Sequence, residues 1–292
     1  MKRFSERVGA VSVPSSLQLD AVGTPLRNTV WNFTVSMFSG ESDCWKSAAQ
    51  DMASLFFKVP VDEIPYYEPQ CRTWVKDLYY ALPWHGVYDL AEYLRTAGSR
   101  ILLSENFRFS KHREFIPENT ERVFNKIFEE EFSGYRFIGG ILSPISSTTE
   151  VVAIEAAITN ATQAGLFGAK THLEAALRLL SKKPSPDYRN SIKESISAVE
   201  SVAKQLSASS GTGLAGPLNE LSKTIPIHGA LRTSFINLYG YTSDESGIRH
   251  SIQEEAEIGF TEAQYMLVSC SAFVHYLIQK ANSAGIKLAR TY

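Results

Sequence analysis

Asp187-Tyr188-Arg189-Asn190-Ser191-Ile192-Lys193-Glu194-Ser195-Ile196-Ser197-Ala198-Val199-Glu200-Ser201-Val202-Ala203-Lys204-Gln205-Leu206 is the stretch that decides the fold. Ile192, Ile196, Val199, Ala203 and Leu206 follow one another at spacings of 4, 3, 4 and 3. That period puts them on one apolar stripe of a helix. Pro184-Ser185-Pro186 breaks whatever precedes it, and Asp187 is predicted as the N-cap, its carboxylate accepting from an orphan amide. A stripe of this kind is stable only against partners, and helical patterns stand on both sides. Ser147-Thr148-Thr149-Glu150 reads as a capping box ahead of an apolar helix. Residues 166–183 carry Leu166, Leu173, Ala176, Leu177 and Leu180 on one face. A short helix is predicted near 217–222 and another from Pro226 to about Tyr239. Thr261-x-x-Gln264 heads a long one, ended by Gly285. The second half is therefore predicted to be an up-down helical bundle.

Reading toward the N-terminus, the pattern becomes aromatic and less regular. Helices are predicted over 26–38, 43–58 (stopped by Val59-Pro60), 70–82, 87–97 (closed by Gly98) and 119–132. The last ends in Glu129-Glu130-Glu131, read as a solvated face. Aromatic and β-branched residues then flank Gly139-Gly140, the signal of a tight β-hairpin over 135–145. The expected organisation is a mainly α protein of two domains. A helical N-terminal domain with a small hairpin spans 1–146, and a helical bundle spans 147–292.

Composition excludes several classes. Lys and Arg number 29 against 31 Asp and Glu, a net charge of -2, and the part after residue 150 holds 13 basic and 12 acidic residues. Such a balance does not coat nucleic acid by bulk charge, so any contact with it must be local. No apolar run reaches membrane-spanning length and the N-terminus lacks a signal-peptide pattern. Cys44, Cys71 and Cys270 are odd in number and far apart, as in a reducing compartment. The expectation is a cytoplasmic protein without a membrane segment.

Gly211-Thr212-Gly213-Leu214-Ala215-Gly216 fits a dinucleotide fingerprint only in letters. No strand pattern precedes it, so it reads as a loop between helices. The histidines show no metal-ligand spacing, and neither a metal nor a cofactor is expected. His275, beside Phe273 and Tyr276, reads as a satisfied core or interface histidine. The segment Leu238-Tyr239-Gly240-Tyr241-Thr242-Ser243-Asp244-Glu245-Ser246-Gly247-Ile248-Arg249-His250-Ser251 is different. It is a polar, glycine-punctuated connection carrying adjacent Arg and His. Histidine moves a proton near neutral pH and arginine grips a phosphoryl oxygen with two donors. Together they have the chemistry to cleave RNA by deprotonating a 2′-hydroxyl and stabilising the crowded phosphorus. The alternative is a helix-capping pair tied to Glu254 or Glu255.

Seven stretches, spread over both halves, carry a further signal. In the first half they are Phe4-Ser5-Glu6-Arg7, Leu26-Arg27-Asn28 with Trp31-Asn32, and Ser133-Gly134-Tyr135-Arg136-Phe137. In the second half they are 187–200, 238–244, Gly247-Ile248-Arg249-His250 and Ser271-Ala272-Phe273. Together they resemble the AbiJ-type abortive-infection proteins of bacteria, with an AbiJ N-terminal domain of the fourth class followed by a HEPN-like domain. It implies a homodimeric helical bundle in which facing Arg and His side chains form a metal-independent endoribonuclease site used in antiphage defence. The N-terminal domain then senses or restrains it, and the implied partners are RNA and a phage trigger or partner defence protein. One departure stands out. The superfamily's signature places four to six residues between Arg and His, whereas Arg108 and His112 have three between them and Arg249 and His250 none. The catalytic assignment is therefore confined to Arg249 and His250. Arg189, Asn190 and Lys193 are the RNA-binding candidates, with Glu200 and Asp244 behind them as supporting residues. Arg189 and Lys193, one turn apart beside Glu194, equally fit a solvated face. The contrasting expectation is a HEPN-like module without catalysis, used for dimerisation or for RNA or nucleotide binding, and acting with a separate effector.

Overall fold

The computed structural model describes residues 4, 17–39, 44–103, 115–182, 184–209, 213–243 and 258–286. The chain divides into two compact units, Met1–Ser146 and Ser147–Tyr292, and is mainly α.

In the first unit, α1 (Thr24–Phe38) begins with Pro25 in its first turn, where the missing amide costs nothing. It packs on α4 (Trp84–Leu103) and α5 (Pro117–Glu130), while α2 (Cys44–Asp51) lies against α3 (Glu68–Ala81) and α4. The core between them is aromatic. Trp31 stacks on Tyr79, Phe124 on Phe128, and Phe128 on Phe137. The hairpin pairs β1 (Arg136–Ile138) with β2 (Ile141–Ser143) in the register Phe137↔Leu142. Gly139 and Gly140 turn it with φ of 54° and 86°, a conformation that side chains bearing Cβ resist. The Asn125 side chain ties the hairpin to α5, accepting from Phe137 N at 2.7 Å and donating to Phe137 O at 2.8 Å. In the acidic run Glu129 and Glu130 are exposed as predicted, but Glu131 accepts from Thr29 Oγ1 at 3.0 Å.

In the second unit, α6 (Thr148–Gln163), α7 (Phe167–Ser181), α8 (Tyr188–Ser207) and α11 (Phe260–Ser283) pack as a closed ring, each against its two neighbours. Leu173, Leu177, Ile192, Val199, Val202, Leu267, Val274 and Leu277 fill the centre. The stripe read from the sequence of α8 is the buried face of that helix. α9 (Ala215–Thr224) and α10 (Gly229–Ser243) pack on its outside.

Five local expectations need correction. The helix predicted to close at Gly98 runs on to Leu103. Gly98 is an interior residue whose missing Cβ makes room for Met37, since a Cβ there would stand 2.5 Å from Met37 Sδ. The helix predicted over 43–58 changes to a π-helix, Met52–Phe57, and ends with Lys58 in the left-handed region at φ 57°. Ser147 is the N-cap of α6 but makes no side-chain cap bond. Glu150, freed from that role, accepts instead from Gln264 Nε2 at 2.6 Å. That same contact removes Gln264 from capping α11, which is capped two residues earlier by Glu262 accepting from Gly259 N at 2.9 Å. Finally, α10 begins at Gly229, because Pro226 to His228 stay outside the helix.

Candidate functional site: the N-terminal end of α8

The start of α8 is built by a tight connection from α7. Lys182 leaves α7 in extended conformation, and the amide of Asp187 folds back to donate to Leu179 O at 3.0 Å. Asp187 then caps α8 as the sequence predicts. Its Oδ1 accepts from Asn190 N at 3.0 Å and its Oδ2 from Asn190 Nδ2 at 2.7 Å. These two hydrogen bonds, helped by the charges of Lys182 and Arg189, hold the Asp187 carboxyl below its ordinary value. Tyr188 meets Phe260 edge-on, joining the start of α8 to the start of α11. Together these groups surround an open, polar recess of about 460 Å³, lined among others by Lys182, Asp187, Tyr188, Arg189 and Ile258.

The electrostatics of the recess favour an anion. Arg189 and Lys182 are exposed and make no hydrogen bond or ion pair among the described residues. Arg189 stands in the first turn of a 20-residue helix, where the backbone carries partial positive charge, and Lys182, the C-cap of α7, lines the same recess. Asp187 opposes them, but its oxygens are engaged by Asn190.

The predicted site residues separate clearly. Arg189 lies in the recess wall. Asn190 is next to it, its amide committed to the cap. Lys193 is exposed one turn further along α8. Glu200 is 11 residues from Arg189, about 16 Å along the helix, and is paired with Lys204 at 2.5 Å. It therefore stands apart from the recess. Arg249, His250 and Asp244 lie outside the described residues, as do Arg108, His112, Gly211 and Thr212. Ile258, in the recess wall, is eight residues after His250 in the chain.

Lys182 is the residue that sequence reasoning missed. Its signal was the Lys182-Lys183 pair ending a helical pattern just before a proline turn. The described histidines are all engaged. His172 Nδ1 meets Glu194 Oε2 at 2.6 Å, and His275 Nδ1 meets Asn160 Nδ2 at 2.7 Å, satisfied as read from the sequence. His228 Nδ1 accepts from Ala230 N and His85 faces Asp89. Among the described residues no three His, Cys, Asp or Glu side chains are grouped to hold a metal ion, and no helix is long and apolar enough to cross a membrane.

A family model described as AbiJ N-terminal domain 4 matches residues 2–160, so the match runs through the first unit and into α6. No curated protein and no solved structure matches the chain.

Proposed function

The chain belongs to the AbiJ N-terminal domain 4 family, and from that premise we propose that it is an abortive-infection protein of bacterial antiphage defence, acting as a homodimeric, metal-independent endoribonuclease. The second unit is the HEPN-like effector, and the first unit senses or restrains it. The supporting observation is the recess at the head of α8, where Lys182 and Arg189 stand unpaired among the described residues beside the helix N-terminus.

The division of labour follows from the chemistry of the side chains. Arg189 and Lys182, with Lys193 a turn away, hold phosphates of the RNA strand at a place where the backbone itself favours anions. His250 takes the proton from the 2′-hydroxyl that attacks the neighbouring phosphorus and returns it to the leaving 5′-oxygen. Arg249 holds the non-bridging oxygens as charge builds on them. Facing copies of the pair from two protomers complete the site.

A second reading is a HEPN-like module that binds RNA or nucleotide without cutting and acts with a separate effector. It is favoured by one observation: each described histidine is engaged by a partner, and none lines the recess. Incubation of single-stranded RNA with the full chain in EDTA separates the two. The proposal expects cleavage by wild type, loss with Arg249→Ala and with His250→Ala, and weaker substrate binding with Arg189→Ala. Equal cutting by all variants assigns the activity elsewhere, and RNA binding without cutting supports the second reading.

A further inference from the structure

The first unit carries a surface that the proposed nuclease site does not use. Tyr66 and Tyr67 are 77% and 65% exposed at the entrance to α3, which leaves two large ring surfaces in water. They meet edge-to-face at 5.3 Å between ring centroids, and Lys46 Nζ lies 4.7 Å from the Tyr66 ring centre. Along α3 itself, Arg72, Lys76 and Tyr80 recur every four residues and so form one exposed stripe. Lys76 Nζ stands 5.7 Å from the Tyr80 ring, which is 38% exposed and fixed by its hydroxyl donating to Asn28 Oδ1 at 2.7 Å. The stretch from Tyr67 to Tyr80 spans about 20 Å of helix axis. Lys46, Arg72 and Lys76 make no ion pair among the described residues.

We infer that this surface binds single-stranded nucleic acid, with unpaired bases stacking on Tyr66, Tyr67 and Tyr80 and phosphates taken by Lys46, Arg72 and Lys76. Aromatic faces held in place by cations, interleaved with unpaired positive charge, are the two components a single-strand platform needs. A protein partner is the poorer fit. Lysine is depleted from protein interfaces because burying its charge is costly, whereas a phosphate compensates each cation directly. The acidic neighbours limit the path of the strand without closing it. Glu68 is turned inward, accepting from Trp45 N at 3.1 Å, and Asp77 lies about 100° around α3 from Lys76. Asp62 and Glu63 sit in the 3₁₀ turn before the tyrosines and bias the strand toward α3. The inference concerns the first unit and does not depend on nuclease activity in the second.

The test uses the full chain and a fluorescent 2′-O-methyl oligouridylate 12-mer, which has no free 2′-hydroxyl and survives any 2′-hydroxyl-dependent cutting. Anisotropy titrations are expected to show binding by wild type. Affinity is expected to fall about 10-fold or more in Tyr66→Ala/Tyr67→Ala and to recover in Tyr66→Phe/Tyr67→Phe, which keep the stacking faces. Arg72→Ala/Lys76→Ala is expected to lower the slope of log affinity against log salt by about 1.4, the share of two phosphate contacts on a single strand. A duplex of the same length is expected to bind more weakly, since its bases are already stacked. Absence of binding, equal binding by wild type and the alanine variants, or a duplex bound as tightly as the single strand each overturns the inference. Loss of binding in the tyrosine variants with cleavage of a short RNA retained strikes neither this surface nor the nuclease site. Intact binding with no cleavage strikes the nuclease proposal alone.

Discussion

Asp187→Ala is the perturbation that most sharply separates architecture from ornament at the head of α8. The wild-type carboxylate satisfies two donors of Asn190, one from the backbone and one from the side chain, and sits at the positive end of the helix dipole. Replacing such a cap by alanine costs about 1 kcal/mol. For a unit of this size the shift in Tm is roughly 4 °C. Thermal unfolding followed by circular dichroism at pH 7 reads it directly. Asp187→Asn is the control: its one amide oxygen keeps the bond from Asn190 N, while the charge and the bond from Asn190 Nδ2 are lost, so it should fall less than Asp187→Ala. The pH dependence supplies a second reading. The folded carboxyl lies below its ordinary value, so its contribution is complete above the unfolded carboxyl's titration at about 3.9 and is lost as pH falls through the folded value. The gap between wild type and Asp187→Ala should therefore narrow from pH 7 to pH 3. Equal stability at pH 7, or Asp187→Asn falling as far as Asp187→Ala, refutes the reasoning.

Further outcomes follow from the packing. Leu173→Ala removes a fully buried side chain from the centre of the second unit and is expected to cost about 3 kcal/mol, read by urea unfolding, against less than about 0.5 kcal/mol for the exposed Val152→Ala. Gly140→Ala places a Cβ 2.5 Å from Arg95 Nη2 at a φ of 86° and should destabilise by more than about 1 kcal/mol. Gly139→Asn, with open space around it and a φ of 54°, should be near neutral in the same assay. Cys44, Cys71 and Cys270 are all buried, and burial pushes the thiols of Cys71 and Cys270 up. Ellman titration is expected to find no fast-reacting thiol in the native protein and all three after denaturation.

The parts of the fold that were legible were those where local pattern and tertiary packing agree. The spacing of Ile192, Ile196, Val199, Ala203 and Leu206 located α8 to within a residue at either end, and Asp187 announced its cap. The misreadings at Gly98 and at the caps of α6 and α11 share a cause, since residues distant in sequence decide them. Met37 makes Gly98 an interior helical position, and Gln264 draws Glu150 out of the capping box it matched. The candidate site was half legible. Arg189 could be selected from its place after a cap, but the recess also needs Lys182 from the end of α7 and Ile258 from before α11, which only folding brings together. The tyrosine surface was hidden for a different reason. Tyr66 and Tyr67 sit in an irregular stretch, where nothing in the spacing distinguishes an exposed ring from a buried one.

Mixed dimers test whether the proposed nuclease site is shared between two protomers. Arg249→Ala and His250→Ala chains are prepared separately, then co-expressed with different tags so that the heterodimer is purified, and all are assayed on single-stranded RNA in EDTA beside wild type. Cleavage is expected by wild type, little by either variant homodimer, and a clear recovery in the heterodimer, where an intact Arg249 would meet an intact His250 across the interface. A heterodimer no more active than its parents, beside an active wild type, contradicts a shared site.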